Sequence, residues 1–74
     1  MTVAEITMVE LKSSNIKRVG HDPARNELHV HFANGGRYVY SNVHRVFYQK
    51  LLEAKSPGKY LASSIKDVFQ ARKL

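Results

Sequence analysis

Glu27-Leu28-His29-Val30-His31-Phe32-Ala33-Asn34-Gly35-Gly36-Arg37-Tyr38-Val39-Tyr40-Ser41 is the stretch whose reading decides the fold. Leu28, Val30 and Phe32 alternate with Glu27, His29 and His31, the period-2 pattern of a half-buried strand. Asn34-Gly35 interrupts the alternation and readily supplies the positive φ angles that a tight hairpin needs. Arg37-Tyr38-Val39-Tyr40 then returns as a second strand rich in β-formers.

The length of the loop sets which face the tyrosines occupy. A two-residue loop, Asn34-Gly35, pairs Val30 with Val39 and turns Tyr38 and Tyr40 outward beside His29 and His31, but it points Arg37 into the core beside Phe32. A three-residue loop with a left-handed glycine shifts the register by one, so every side chain of the second strand changes face. Tyr38 and Tyr40 then join Leu28, Val30 and Phe32, while His29, His31 and Arg37 face water. The second register is favoured because it leaves no unpaired charge in the core. The tyrosine rings are then structural, with their hydroxyls at the rim.

Around this hairpin the chain is short, 74 residues, and has no cysteine to form a disulfide or a thiolate metal site. A domain of this size buries only about 60% of its unfolded surface, which allows one modest core. No apolar run reaches membrane length and no signal-peptide pattern follows Met1, so a soluble cytoplasmic protein is expected. The formal charge is +6, from 12 Lys and Arg against 6 Asp and Glu. That balance favours nucleic acid or an acidic protein surface as partner.

Upstream, residues 1–12 read as a tail or a short strand over Thr7–Leu11. Ser13-Ser14-Asn15 is a polar punctuation whose side chains can bond nearby amides. Ile16 to His21 is a strand, with Gly20 hinting at a bulge or a close backbone approach. Asp22-Pro23-Ala24-Arg25-Asn26 is a turn in which the Asp oxygen accepts a backbone bond. Downstream, Ser41 or Asn42 caps a helix running to about Ala54, with Val43, Phe47, Leu51 and Ala54 on one face. Ser56-Pro57 caps and starts a second helix. Ile65, Val68, Phe69 and Arg72 continue at helical spacing, so residues 67–74 are expected to be a helical basic extension.

Ser13-Ser14-Asn15-Ile16, Val19-Gly20-x-Asp22, Leu28-x-Val30-x-Phe32, Gly36-x-Tyr38-x-Tyr40 and Ser56-x-Gly58-x-Tyr60 occur in one order and spacing. This pattern resembles the KTSC domain, named for its place at the C-terminus of some lysyl-tRNA synthetases and also found as a free-standing small protein. The resemblance covers residues 13–66. The chain departs from it at His21, where the family usually has an aromatic, and at Val43-His44, where a Val-Pro usually opens the helix. The resemblance implies RNA binding, a role proposed for the family, and brings no catalytic residues.

His29-x-His31 places two imidazoles on one strand face, a geometry that metal sites use, but zinc needs three or four ligands and no cysteine can complete the set. No metal or other cofactor is expected. There is no Gly-x-Ser-x-Gly elbow and no acid placed to orient a histidine, so no catalytic residue is assigned and the chain is read as a non-enzyme. Ser56-Pro57-Gly58-Lys59 lacks the glycine run of a phosphate loop and reads as helix capping. The backbone amides opening that helix, with Lys59, are a lesser option for one phosphate.

The expected fold is α+β: a three- to four-stranded antiparallel sheet covered on one face by two C-terminal helices. The expected function is a non-catalytic nucleic-acid-binding module, RNA favoured over DNA, acting as a monomer. Its candidate contacts are Arg18, His29, His31 and Arg37 on the basic sheet face, with Arg45, Lys50 and Lys59 from the helices. Lys17 is expected on the other side of its strand, near an edge. The alternative is a regulator that docks on an acidic protein surface of the transcription or translation machinery.

Overall fold

The structure, a computed structural model, describes residues 6–74. Among them are strands β1 (Val9–Glu10), β2 (Ile16–Asp22), β3 (Glu27–Phe32) and β4 (Arg37–Tyr40), helices α1 (Arg45–Glu53) and α2 (Pro57–Ser64), and strand β5 (Ala71–Lys73). The strands form one antiparallel sheet in the order β1-β2-β3-β4-β5. Both helices cover the same face of it, so the α+β arrangement is as expected.

The hairpin takes the three-residue loop. Gly35 N–H donates to Phe32 O (3.0 Å) and Phe32 N–H donates to Gly36 O (2.8 Å), which leaves Ala33, Asn34 and Gly35 as the connection. Gly35 has φ +95°, the left-handed residue that closes a type I turn with a bulge. Asn34 Oδ1 also accepts from Gly36 N–H at 2.9 Å. Val30 therefore stands opposite Tyr38, Leu28 opposite Tyr40, and His31 opposite Arg37.

The helix-facing side of the sheet supplies Ile16, Val19, Leu28, Val30 and Tyr40 to the core, where Val43, Leu51, Leu61 and Ile65 meet them from above. Ser13 prepares the entry to β2, its Oγ accepting from Asn15 N–H (3.2 Å) and Ile16 N–H (3.3 Å). Asp22, only 6% exposed, closes the next turn by accepting from Ala24 N–H at 3.0 Å. His21 faces α1, stacks on Tyr48 and lies 2.7 Å from Val43 O. A carbonyl can only accept, so Nε2 of His21 carries the proton in this bond.

Several sequence expectations are corrected. The helix cap is neither Ser41 nor Asn42. His44 is the N-cap, its Nδ1 accepting from Val46 N–H at 3.4 Å, while Asn42 sits at φ +61° in the turn before it. Ser56 precedes α2 without a side-chain capping bond. α1 runs to Glu53 with Ala54 as its C-cap, as expected.

Residues 67–74 are not helical. The chain turns after Ile65, Phe69 packs edge-on against Phe47 (5.3 Å between ring centroids), and Ala71–Lys73 joins the sheet. Ser41 N–H donates to Gln70 O and Leu74 N–H to Arg37 O, both at 2.8 Å, which fastens β5 along β4. The helical spacing of Ile65, Val68 and Phe69 lost to the unpaired edge of β4, whose backbone groups need partners. The sheet thus has five strands rather than three or four. At the other edge Val9 and Glu10 of the expected Thr7–Leu11 strand pair with β2 and Leu11 N–H donates to Lys17 O at 3.1 Å, while the part of the tail before Ile6 lies outside the described residues.

Candidate functional site

The face of the sheet away from the helices carries a row of directly opposed residues: Glu10 on β1, Arg18 on β2, His31 on β3 and Arg37 on β4. Neighbouring strands lie about 4.8 Å apart, so three cationic or titratable side chains stand side by side within about 10 Å. A bulge between Ile16 and Arg18 makes this possible, because it inserts Lys17 as an extra residue and turns Arg18 to the outer face. Lys17 is exposed and stands unpaired at the bulge. Its charge, with those of Arg37, Arg18 and His29, adds to partial burial in holding the His31 pKa below its ordinary value. Partial burial is the largest of these causes, followed by Arg37 and Arg18.

The row is partly neutralised at one end. Arg18 Nη2 lies 3.6 Å from Glu10 Oε1, an exposed ion pair. Arg37 is exposed and makes no ion pair among the described residues.

His29 differs from the expectation that it faces water. Its side chain is 20% exposed, and Nε2 is buried without a hydrogen-bond partner among the described residues, 3.6 Å from Glu27 Oε1. The cause is a second, smaller apolar layer on this face. Val39 is fully buried there, and Ile6 and Met8 close over Gly20, the residue opposite His29. A methyl group added at Gly20 would come within 2.5 Å of Met8 Sδ and 2.7 Å of Ile6 Cγ2, so the glycine is what lets the N-terminal segment approach. His29 packs into this layer and is withdrawn from the basic row.

Arg45, Lys50 and Lys59 do not join the row either. All three are exposed, Arg45 and Lys50 on α1 and Lys59 on α2, in the helical layer on the far side of the sheet. Among the described residues no three His, Asp or Glu side chains come together as a metal-binding group. No described helix is long and apolar enough to cross a membrane.

Sequence reasoning missed a cleft of about 660 Å³ between α2 and the β3–β4 hairpin. Ile16, Phe32, Tyr38, Tyr40 and Leu61 give it apolar and aromatic walls, while Ser14, Asn15, Asn34 and Lys66 supply polar groups. Phe32 and Tyr38 meet edge-on at 5.5 Å between ring centroids. Gly58 brings α2 down onto the Ser13–Asn15 turn, where a methyl group would sit 3.4 Å from Asn15 Nδ2 and 3.5 Å from Ser13 Oγ. The Ser-Ser-Asn, Tyr-x-Tyr and Ser-x-Gly motifs therefore converge on one place. Their shared order in the sequence was the available signal, but spacing alone does not show that they touch.

Comparison with known proteins places this arrangement. The model of the KTSC domain family matches residues 12–69. A crystal structure of a KTSC domain protein from Yersinia pestis superposes with a TM-score of 0.91 at 30% identity, covering 95% of this chain and 99% of that one. A protein of Tsukamurella paurometabola is 34% identical over 64 residues, 86% of this chain and 96% of its own length. One from Stutzerimonas stutzeri is 40% identical over 52 residues, 70% of this chain and 73% of its own. The chain belongs to the KTSC domain family.

Proposed function

We propose that the protein binds single-stranded or structured RNA through the outer sheet face, with Arg18, His31 and Arg37 as the central contacts and Lys17 beside them. The observation that carries this reading is the direct opposition of Arg18, His31 and Arg37 across three adjacent strands. Such a row offers two guanidinium groups that can fork onto phosphate oxygens and an imidazole that can stack or donate between them. The excess of 12 basic over 6 acidic residues supports it by drawing polyanions toward the surface. Arg45, Lys50 and Lys59 contribute to that long-range field from the other side, without reaching the same stretch of strand. His29 serves the apolar layer beneath.

The test is RNA affinity as a function of salt. A phosphate-dominated site gives a linear log–log dependence, with about 0.7 to 0.9 lost per missing phosphate contact. Replacing Arg18 and Arg37 together by Ala should reduce the slope by roughly 1.4 to 1.8 while leaving the fold intact. No saturable RNA binding at moderate salt, together with retention of a nuclease-treated protein partner, would overturn the reading in favour of protein docking.

A further inference from the structure

We infer that the cleft between α2 and the β3–β4 hairpin is a nucleotide site, taking one unstacked base against the Phe32 and Tyr38 rings and its phosphate at Lys66. At about 660 Å³ the cleft is far too large for an ion and lies within the range of small-molecule sites. Its walls are what a planar, weakly polar ring requires: two aromatic rings held edge-on to each other, with Leu61 opposite them on α2. The polar groups at its margin are of the right kind for a base edge. Asn15 and Asn34 both line the cleft, and a side-chain amide carries a donor and an acceptor side by side. Asn34 Oδ1 is engaged by Gly36 N–H, which leaves its amide N–H groups to donate.

Tyr40, only 3% exposed, adds a third aromatic ring to the lining of the cleft. The one charged side chain in the lining is a cation, which suits an anionic occupant. Lys66 is exposed at the cleft margin and the whole chain carries +6. The hairpin connects this site with the basic row, because Asn34 lines the cleft at the loop while His31 and Arg37 flank that loop on the outer face. The nucleotide is either free or one unit of a bound single strand. Only the second source rests on the RNA reading given above.

The experiment titrates the protein with adenosine 5′-monophosphate, ribose 5-phosphate and a single-stranded RNA hexamer, following Tyr and Phe ring resonances by NMR. Three proteins are compared: the unchanged chain, Ala62→Trp, and the Arg18→Ala/Arg37→Ala pair. Ala62 is exposed on α2 and lines the cleft, so a tryptophan there fills the space without entering the core. Lys66→Glu is a second cleft variant should the first perturb the amide spectrum.

The expected result is a saturable shift of the Phe32, Tyr38 and Tyr40 rings with the nucleotide, not matched by ribose 5-phosphate. Ala62→Trp should weaken it about tenfold or more, the scale of one lost base stack. The arginine pair should weaken binding of the hexamer, whose phosphates those side chains are proposed to hold, far more than that of the monophosphate. Ring shifts with the hexamer but not the monophosphate also support the site and identify the strand as its source. Hexamer binding that moves only outer-face resonances overturns the cleft assignment and leaves the RNA reading standing. Monophosphate binding without hexamer binding does the reverse. Failure of both ligands to move the rings, or displacement of the nucleotide by an uncharged aromatic peptide at equal affinity, overturns the site outright.

Discussion

Arg72 on β5 spans the full width of β4 to reach Glu27 on β3, its Nη2 lying 3.3 Å from Glu27 Oε2. Glu27 is the better buried partner, 14% exposed in its side chain against 55% for Arg72, and its other oxygen faces His29. On the way the arginine passes Val39, directly opposite it in the ladder and fully buried. The last strand is thus held by side-chain cover as well as by backbone bonds.

Replacing Arg72 by Ala should therefore cost more than a surface ion pair normally does, about 1 to 2 kcal/mol, because it uncovers Val39 and leaves the Glu27 carboxylate less compensated. Arg72→Met, which keeps the stem and drops the charge, should recover part of this. Urea unfolding of the two variants checks it. Equal losses would mean that the stem contributes nothing.

Two glycines should fail differently. Gly35→Ala meets no atom within 4 Å but must hold φ +95°, a cost of about 1 to 2 kcal/mol spread over the whole fold. Gly20→Ala collides with Met8 and Ile6, so the N-terminal segment should lift away and the sheet survive. Hydrogen exchange separates the cases: a global loss of protection for Gly35→Ala, and a loss confined to β1 and its preceding residues for Gly20→Ala.

The His31 pKa lies below its ordinary value in the folded protein. The unfolded chain accordingly binds the proton more readily, and stability should decline as pH falls from the ordinary histidine value toward the folded one, levelling off below it. Arg37→Ala should move the His31 pKa back toward the ordinary value, and RNA should raise it by supplying negative charge. RNA affinity is then expected to increase as pH falls through the titration of His31, with proton uptake on binding. NMR titration of the imidazole, free and bound, measures both. A pKa unmoved by RNA would remove His31 from the contact surface.

Glu10 pairs with Arg18, so on the proposed RNA-binding reading it would compete with phosphate for that guanidinium. Glu10→Gln should strengthen RNA binding by a few-fold at low salt, with little change in stability, since exposed pairs contribute about 0 to 1 kcal/mol. Unchanged affinity, measured by fluorescence anisotropy, would show that Arg18 does not meet the phosphates.

Much of this architecture is legible in the sequence. The register follows from one argument, that Arg37 has no partner in the core, and the alternation of Leu28, Val30 and Phe32 places the buried face. The C-terminus reads wrongly as helix because Ile65, Val68 and Phe69 satisfy helical spacing equally well as a turn that plugs Phe47. Only the open edge of β4 decides between them, and an edge is a tertiary fact. His44 as a cap is hidden because imidazole seldom plays that role. Gly20 announces a close approach without saying that Ile6 and Met8 make it, so the alternation alone assigns His29 to solvent. Asn15, Tyr38, Gly58 and Lys66 are scattered over most of the chain, and no local pattern could gather them into one cleft.

That scatter makes occupancy of the cleft inseparable from cohesion of the whole molecule. Its walls come from the turn before β2, the hairpin and α2, so a partly unfolded chain that loses any of these has no cleft to offer. A ligand at a hundred times its dissociation constant would add about 2.7 kcal/mol to stability. In a domain this small, each kilocalorie moves the melting midpoint by roughly 4 to 8 °C. A simple thermal scan with nucleotides is therefore a sensitive assay for occupancy of this cleft.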